Sequence, residues 1–307
     1  MDEHIPVLVD EVLEALAPAA DGFYVDATFG RGGHTARLLE ALGGEGRVLA
    51  IDRDPQAIAF GRQRFADEMR LALVHAPFSE LRAVVQGQAG GRKANGILLD
   101  LGVSSPQLDE AERGFSFAKD GPLDMRMDPT RGEPVASWLA HASGDEMRKV
   151  IAELGEERFA RRVAEAVLAS RRETPITRTA QLAAIVARAV RTREPGKHPA
   201  TRTFQALRIL INDELGQLRT ALAAAHDLLA VGGHLAVISF HSLEDRTVKE
   251  FMRDRSSVDP VYAGLPVIPP QAQPTLKLVG RKVKASDAEV ARNPRARSAI
   301  LRVASRL

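Results

Sequence analysis

Along the first hundred residues, the pattern of apolar and polar positions predicts strands that alternate with helices. Four short apolar runs predict strands at residues 23–26, 47–52, 71–75 and 96–100. Between the first two, Leu38, Leu39 and Leu42 recur at helical spacing before Gly43. Because strands that alternate with helices form parallel sheets covered on both faces, this pattern predicts an α/β fold with a Rossmann-like, doubly wound sheet.

The alternation of strand and helix patterns ends after Leu101. From Asp109 to Leu215 the apolar positions follow helical spacing and show no strand pattern. A capping box at Ser143 to Glu146 predicts the start of one helix, Phe159 marks a second, and Thr179 is predicted to cap a third. This stretch predicts an all-helical insertion over residues 109–215. The α/β domain is then discontinuous and comprises residues 1–108 and 216–307.

The α/β rhythm returns after the insertion. A long helix is predicted through Leu218, Leu222 and Leu229, with Gly232-Gly233 as its end and a strand at 234–240. A proline-rich stretch at 260–274 predicts a surface loop, and residues 298–303 predict the last strand.

Charge is distributed unevenly along the 307 residues, although the formal net charge is only +2. Residues 158–208 hold twelve Arg or Lys against three Glu, a local balance of +9, so the rest of the chain carries −7 (2 − 9). From Arg281 onward there are eight basic and two acidic residues. Such clustering indicates a phosphate-facing surface, with solvated helix faces as the alternative.

Several function classes are excluded by what the sequence lacks. Without cysteine it forms no disulfide, thiolate metal site or cysteine nucleophile, and we expect no metal. No apolar run reaches the ~18 residues of a membrane span, and the acidic start does not resemble a signal peptide. These features predict a cytoplasmic protein with no membrane association.

A glycine-rich turn follows the first predicted strand and precedes a helix. Gly30, Gly32 and Gly33 allow close approach of a ligand to the backbone, and Asp52 ends the second strand, where an acid can accept hydrogen bonds from ribose hydroxyls. Thr35 replaces the third glycine of the dinucleotide fingerprint, which disfavours NAD. The arrangement can serve S-adenosyl-L-methionine, which needs a ribose-binding acid and an open route to its sulfonium.

Several longer motifs make the prediction more specific. They are Asp100 to Asp109 (DLGVSSPQLD), Arg113 to Phe117 (RGFSF), Pro122 to Asp128 (PLDMRMD), His198 to Arg208 (HPATRTFQALR), Ser239 to Arg246 (SFHSLEDR) and Asn293 to Ser298 (NPRARS). Together the motifs resemble the bacterial MraW/RsmH family of ribosomal RNA small-subunit methyltransferases. The resemblance implies a class I methyltransferase interrupted by a helical substrate domain, which methylates N4 of a cytosine in the decoding region of 16S ribosomal RNA.

The resemblance also implies a set of cofactor contacts: Gly32, Gly33, His34, Asp52, Phe78, Asp100 and Gln107. Asp26 is a further candidate, for the cofactor's ammonium group. Two members have alternative interpretations, since Phe78 could belong to the core and Asp100 could cap a turn.

Asp100 and His241 are the candidate catalytic residues. Acceptors on the hydrogens of an exocyclic amine can orient the nitrogen and disperse its developing charge, and Asp100 ends a strand where such acceptors should lie. His241 is expected either to contact substrate or remove a proton, or to make a structural hydrogen bond. Methylation of cytosine C5 normally requires a cysteine adduct, which this chain cannot form.

The basic residues Arg161, Arg162, Arg202, Arg295 and Arg297 are expected to bind phosphates of ribosomal RNA, within the small subunit. Aromatic residues form only 5% of the chain, which favours a folded RNA over extended stacking. Trp138 could stack on a base or pack in the core. Three alternatives stay open: a non-enzymatic ribosome-assembly factor with a vestigial pocket, a NAD-dependent oxidoreductase, and a small-molecule methyltransferase. The oligomeric state is also open, with a homodimer as one option.

Overall fold

The computed structural model describes residues 6–190 and 198–307. The chain forms two compact units, an α/β unit of residues 1–102 and 215–307 and a helical unit of residues 103–214. Within the described ranges, no helix is both long and apolar enough to cross a membrane.

A single sheet organises the α/β unit. Its strands are β1 Phe23–Asp26, β2 Arg47–Asp52, β3 Leu71–His75, β4 Ala94–Asp100, β5 Leu229–Ser239, β6 Leu276–Leu278, β7 Val283–Lys284 and β8 Ile300–Arg306. Their order is β3-β2-β1-β4-β5-β8-β6, with β7 also pairing with β8. Strands β1 to β5 are mutually parallel, while β8 is antiparallel to its neighbours. The predicted doubly wound, Rossmann-like sheet is therefore confirmed, and its order reverses between β1 and β4, the usual place for a ligand site.

Thirteen α-helices lie in the described parts of the chain. They are α1 Val9–Leu16, α2 Gly33–Ala41, α3 Pro55–Arg64, α4 Leu81–Ala89, α5 Ser105–Asp109, α6 Val135–His141, α7 Gly144–Gly155, α8 Ala160–Glu173, α9 Thr179–Ala189, α10 Thr201–Asn212, α11 Glu214–Leu228, α12 Ser242–Ser256 and α13 Asp287–Arg292.

Both faces of the sheet are covered by helices, because successive side chains on a strand point to opposite faces. Val25 of β1 belongs to a core that includes Leu222 of α11 and Val248 of α12. Its neighbour Tyr24 belongs to a second core, with Val12 of α1 and with α2. This double covering explains why the parallel strands are almost wholly apolar.

The helical unit has its own core, built from α6 to α10 and the irregular segment that precedes them. Helix α7 begins with the predicted capping box, in which Glu146 N–H donates to Ser143 Oγ at 3.2 Å. Thr179 does not cap α9 as the sequence suggested, since Arg178 precedes the helix. The Thr179 hydroxyl instead accepts a hydrogen bond from Gly121 N–H at 3.0 Å.

The predicted end of the long helix at Gly232-Gly233 is wrong. Helix α11 ends at Leu228, and both glycines lie inside β5. Gly232 has φ +79°, and the pairing of β5 with β4 shifts register between Ala94 and Gly96. The glycines therefore permit an irregularity in a strand, which looks like a helix end when only the sequence is known.

The proline-rich stretch lies largely at the surface, as predicted, with short 3₁₀ turns at Pro260–Tyr262 and Pro270–Ala272. The last strand begins at Ile300, two residues later than predicted.

Candidate functional site

The turn between β1 and α2 depends on glycine. Gly30 and Gly32 have φ of +55° and +70°, a backbone region that other residues rarely adopt. A Cβ on Gly32 would lie 2.6 Å from the Phe29 ring, and one on Gly33 would lie 2.8 Å from the Pro6 ring. Neighbouring rings therefore occupy the space that a side chain at Gly32 or Gly33 would need, and this packing requires glycine at both positions. The N–H groups at the start of α2 favour an anionic ligand group.

Asp52 ends β2 and accepts two backbone hydrogen bonds. Gly30 N–H donates to Oδ2 at 2.7 Å, and Asp54 N–H donates to Oδ1 at 2.8 Å. Burial raises the pKa of Asp52 to about 6, an effect that the two backbone donors only partly offset. Each oxygen has a second lone pair, so the half-buried carboxylate can also accept from ligand hydroxyls.

Asp26 is buried, with both carboxylate oxygens used inside the protein. Thr28 N–H donates to Oδ1 at 3.2 Å, and the Thr35 hydroxyl donates to Oδ2 at 2.7 Å. Burial raises the pKa of Asp26, against the charge of His34 and these hydrogen bonds. These contacts hold the residues on either side of the glycine turn. They do not favour the predicted contact between Asp26 and the cofactor's ammonium group.

Asp100 ends β4 beside the same turn. Its N–H donates to Thr28 Oγ1 at 2.6 Å, and its Oδ2 lies 3.5 Å from Nε2 of His34, in the first turn of α2. Burial lowers the pKa of His34, but the nearby carboxylates of Asp100 and Asp26 together raise it by more, so the net shift is upward. Asp100 Oδ1 is buried and has no hydrogen-bond partner among the described residues. An acceptor in this state is matched by a ligand donor such as an amine or ammonium group.

The structure therefore brings five predicted cofactor residues, Gly32, Gly33, His34, Asp52 and Asp100, to the carboxyl edge of the sheet. Phe78 begins a 3₁₀ turn just after β3 and is half-buried against the core. Gln107 belongs to the helical unit, where its Oε1 accepts Ser104 N–H at 2.9 Å in the capping box of α5. The glycine turn, the half-buried acid and the unpaired Asp100 oxygen suit a nucleoside cofactor with an amino-acid tail.

His241 precedes α12 and caps it. Its Nδ1 accepts Glu244 N–H at 3.5 Å, and its Nε2 lies 3.1 Å from Glu244 Oε1. The Glu244 carboxylate in turn accepts Phe240 N–H at 2.8 Å. The Nδ1 contact is that of a helix cap and supports the structural alternative for His241, whereas Nε2 is buried and makes no hydrogen bond among the described residues.

The predicted RNA-binding arginines fall into two groups. Arg161, Arg162 and Arg202 lie on the helical unit, whereas Arg295 and Arg297 lie in the exposed 3₁₀ turn Pro294–Ser298 of the α/β unit. Arg161 is 81% exposed and pairs with Glu165 at 2.9 Å, so its charge remains accessible to a polyanion. The Arg162 guanidinium lies 6.0 Å from the Phe159 ring centroid, and Arg202 donates to the Glu156 carbonyl. Trp138 is half-buried against the helical core.

Thr28 and Thr35 are site residues that sequence reasoning missed. They tie the glycine turn to Asp100 and to Asp26 respectively. The available signal was the pair of short hydroxyl side chains flanking the glycines, which can bond nearby backbone or carboxylate groups.

Comparisons with known proteins cover the whole chain. The MraW methylase family matches residues 1–307. A protein of Azoarcus sp. (strain BH72) named ribosomal RNA small subunit methyltransferase H is 57% identical over 308 residues, which are 99% of this chain and 97% of that protein. The protein of that name from Coxiella burnetii (strain RSA 331 / Henzerling II) is 50% identical over 307 residues, all of both chains. Among solved structures, an rRNA methylase from Streptococcus thermophilus has a TM-score of 0.43 at 14% identity, with 97% of this chain and 93% of that chain covered.

Proposed function

Because this chain belongs to the MraW methylase family and is therefore an S-adenosylmethionine-dependent methyltransferase, we propose that it methylates N4 of a cytosine in the decoding region of small-subunit ribosomal RNA. The observation that carries the proposal is the identity of 50–57% to proteins named ribosomal RNA small subunit methyltransferase H, along essentially their full length. We also propose that it acts in the cytoplasm, where such a substrate is assembled. The resemblance found in the sequence is confirmed, and nothing in the comparisons supports a NAD-dependent oxidoreductase.

The cofactor would lie across the carboxyl ends of β1, β2 and β4. Asp52 would accept hydrogen bonds from the ribose hydroxyls, and the N–H groups where the turn Gly30 to Gly33 enters α2 would bind the carboxylate of the amino-acid tail. Phe78 and Gln107 stay predictions from the resemblance. When bound, S-adenosylmethionine supplies an activated methyl group and a neutral thioether leaving group.

Asp100 is the residue that we assign to the acceptor. Its Oδ1 is the unpaired acceptor at the edge where β1 and β4 diverge, so it can accept a hydrogen bond from the cytosine amine. That bond would turn the nitrogen lone pair toward the methyl group and stabilise the positive charge that forms on nitrogen. His34 and the Thr28 hydroxyl hold Asp100 in place.

His241 has a positioning role in this proposal. Its contacts with Glu244 fix the turn between β5 and α12, beside the strand that carries Asp100. Proton removal from the methylated amine would be left to solvent, because the proton is acidic once the nitrogen carries a positive charge.

The helical unit is proposed as the substrate-recognition domain. Arg161, Arg162 and Arg202 supply exposed or half-exposed cations on it, and residues 158–208 carry a balance of +9. Arg295 and Arg297 would add phosphate contacts from the α/β unit. A methyltransferase that acts on a small molecule would have no evident need for a folded, basic unit of this size.

Small subunits from cells that lack the modification provide the direct test. We expect transfer of labelled methyl groups from S-adenosylmethionine and recovery of N4-methylcytidine by nucleoside mass spectrometry. Asp100→Ala should bind cofactor more weakly in calorimetry, and at saturating cofactor it should transfer at least about a hundredfold less methyl, since electrostatic stabilisation of a developing charge is typically worth that much. Absence of label in wild-type reactions, or label in another nucleoside, would refute the proposal and favour the assembly-factor alternative or another target.

A further inference from the structure

Three rings form a column from the core of the helical unit to its surface. Phe204 is buried, with 4% of its surface exposed, and its ring meets that of Phe117 edge-on, with centroids 5.0 Å apart at 83°. The half-buried Phe117 ring lies under the imidazole of His198, with centroids 4.5 Å apart at 32°. His198 is exposed, so this column ends in a nearly stacked pair that solvent reaches.

The orientation of the His198 ring is fixed by the backbone that follows it. Its Nδ1 accepts Ala200 N–H at 3.1 Å, and Thr201 N–H donates to the His198 carbonyl at 3.0 Å, in the turn that starts α10. Because Nδ1 is an acceptor, a neutral ring carries its proton on Nε2. The ring is thus held as a flat surface with a donor at its edge before any ligand arrives.

The same unit also carries the arginines Arg202 and Arg162, whose charges suit a phosphate group. Arg202 lies four residues after His198, in the first turn of α10, and its guanidinium is anchored on the Glu156 carbonyl. Arg162, on α8 of the same unit, lies over the ring of Phe159. A flat ring and an anchored arginine four residues further along the chain match a nucleotide, whose base stacks on rings and whose phosphate pairs with guanidinium groups.

We propose that His198, supported by Phe117, is a stacking platform for an unpaired base of the RNA substrate, and that Arg202 binds a phosphate next to that base. The inference rests on the proposed function, in that it takes RNA as the substrate. It adds a contact that binds RNA outside the methyl-transfer site, so it should affect RNA affinity and leave the chemical step unchanged.

Two variants separate stacking from capping. His198→Asn keeps an acceptor for Ala200 N–H and removes the ring, whereas His198→Phe keeps a ring on Phe117 and removes the acceptor. Each full-length variant would be titrated with protein-free small-subunit ribosomal RNA that lacks the modification, and assayed for methylation of small subunits. Cofactor affinity by calorimetry and unfolding in urea provide the controls.

For His198→Asn we expect roughly tenfold weaker binding of the protein-free RNA and a matching rise in KM, with kcat and cofactor affinity retained. His198→Phe should bind RNA within about twofold of wild type. The proposal is overturned if both variants bind like wild type, if both are weakened equally, or if only His198→Phe is weakened, which would identify a capping role. A weakening seen with assembled subunits but not with protein-free RNA would identify a protein contact instead. Failure of the wild-type enzyme to methylate subunits would refute the proposed function, whereas the RNA titration tests the platform independently.

Discussion

The residues Thr28 to Gly30 hold both acids of the candidate site at once. Gly30 N–H binds the carboxylate of Asp52, and the Thr28 hydroxyl accepts the N–H of Asp100. Asp26 supports this segment through Thr28 N–H. Three consecutive residues therefore contact both Asp52 and Asp100, so small changes there should have measurable effects.

Cofactor binding should weaken in mild acid because of Asp52. With its pKa raised to about 6, this carboxyl is mostly ionised at neutral pH and mostly protonated one unit below its pKa. If only the carboxylate accepts the ribose hydroxyls, the Kd for S-adenosylmethionine should rise about tenfold between pH 7 and pH 5. Calorimetric titration across that range measures the effect.

The matched variant is Asp52→Asn, which should bind more weakly at neutral pH and lose this part of the pH dependence. His34, whose pKa is also raised, remains in both proteins and so cancels in the comparison. Parallel pH curves for wild type and variant would contradict the assignment. For the protein alone the sign is opposite. A raised pKa in the folded state gives stability below about pH 4 that is lost as pH rises through about 6.

Thr28→Val tests the link to Asp100. Valine keeps the side-chain shape but removes the oxygen that accepts Asp100 N–H at 2.6 Å. An N–H left without an acceptor costs about 1–3 kcal/mol in the free energy of unfolding, and displacement of Asp100 should slow methyl transfer. Urea denaturation and single-turnover rates measure the two effects. Thr28→Ser, which restores the oxygen, should recover both, and a valine variant with wild-type values would show that the bond contributes nothing.

At the level of elements, the junction of β1 and α2 is the least tolerant point of the site. Gly32→Ala would place a methyl group in the left-handed region, at φ +70°, and 2.6 Å from the Phe29 ring. The left-handed backbone conformation alone costs about 1–2 kcal/mol for alanine, and relief of the clash must move the glycine turn. We expect a lower Tm and a loss of cofactor affinity, measured by thermal unfolding and by calorimetry.

Gly44→Ala is the matched control. A Cβ on Gly44 would meet no heavy atom within 4 Å, and its backbone is not left-handed. This variant should stay within about 0.5 kcal/mol of wild type and bind cofactor normally. Equal effects of the two substitutions on cofactor affinity would mean that the geometry at Gly32 is not specifically required.

Elements whose signal is local were predictable from sequence. Strands β1 to β4 follow short apolar runs, and Ser143 with Glu146 specifies the start of α7 without help from distant residues. Sequence-based prediction fails where the structure of an element depends on its pairing with distant strands. Gly232 lies in β5 where the pairing with β4 shifts register, and β8 pairs in the antiparallel direction with β5, a strand far away in the chain.

The candidate site shows the same difference between residues with local signals and residues that depend on tertiary pairing. The glycine turn and Asp52 were predictable because spacing after consecutive strands brings them to one edge. The role of Thr28 was not, since it depends on β1 and β4 being neighbours although about seventy residues separate them. His241 was ambiguous because the capping contact with Glu244 and a catalytic contact require the same residue type.

At the scale of the whole molecule, the uneven charge should appear as salt-dependent RNA binding. Replacing Arg161 and Arg162 with glutamate should weaken RNA binding and reduce the slope of log K against log salt by about 1 for each phosphate that the protein no longer binds. Filter binding or anisotropy at several salt concentrations measures this, while calorimetry should show unchanged cofactor affinity.

Arg253→Glu provides a control in the α/β unit. Arg253 is 61% exposed and paired with Asp254, so its reversal changes the net charge without altering the helical unit. It should leave the salt slope close to that of wild type. If all variants bind RNA alike, the arginines of α8 form only a solvated surface.

Strand β8 lies between β5 and β6, so it is hydrogen-bonded on both sides although it follows all of its partners in the chain. During synthesis one flank of β5 therefore stays unpaired until β8 has left the translating ribosome. The helical unit, being contiguous, can fold well before that moment. The α/β unit would thus be completed only after the helical unit that interrupts it.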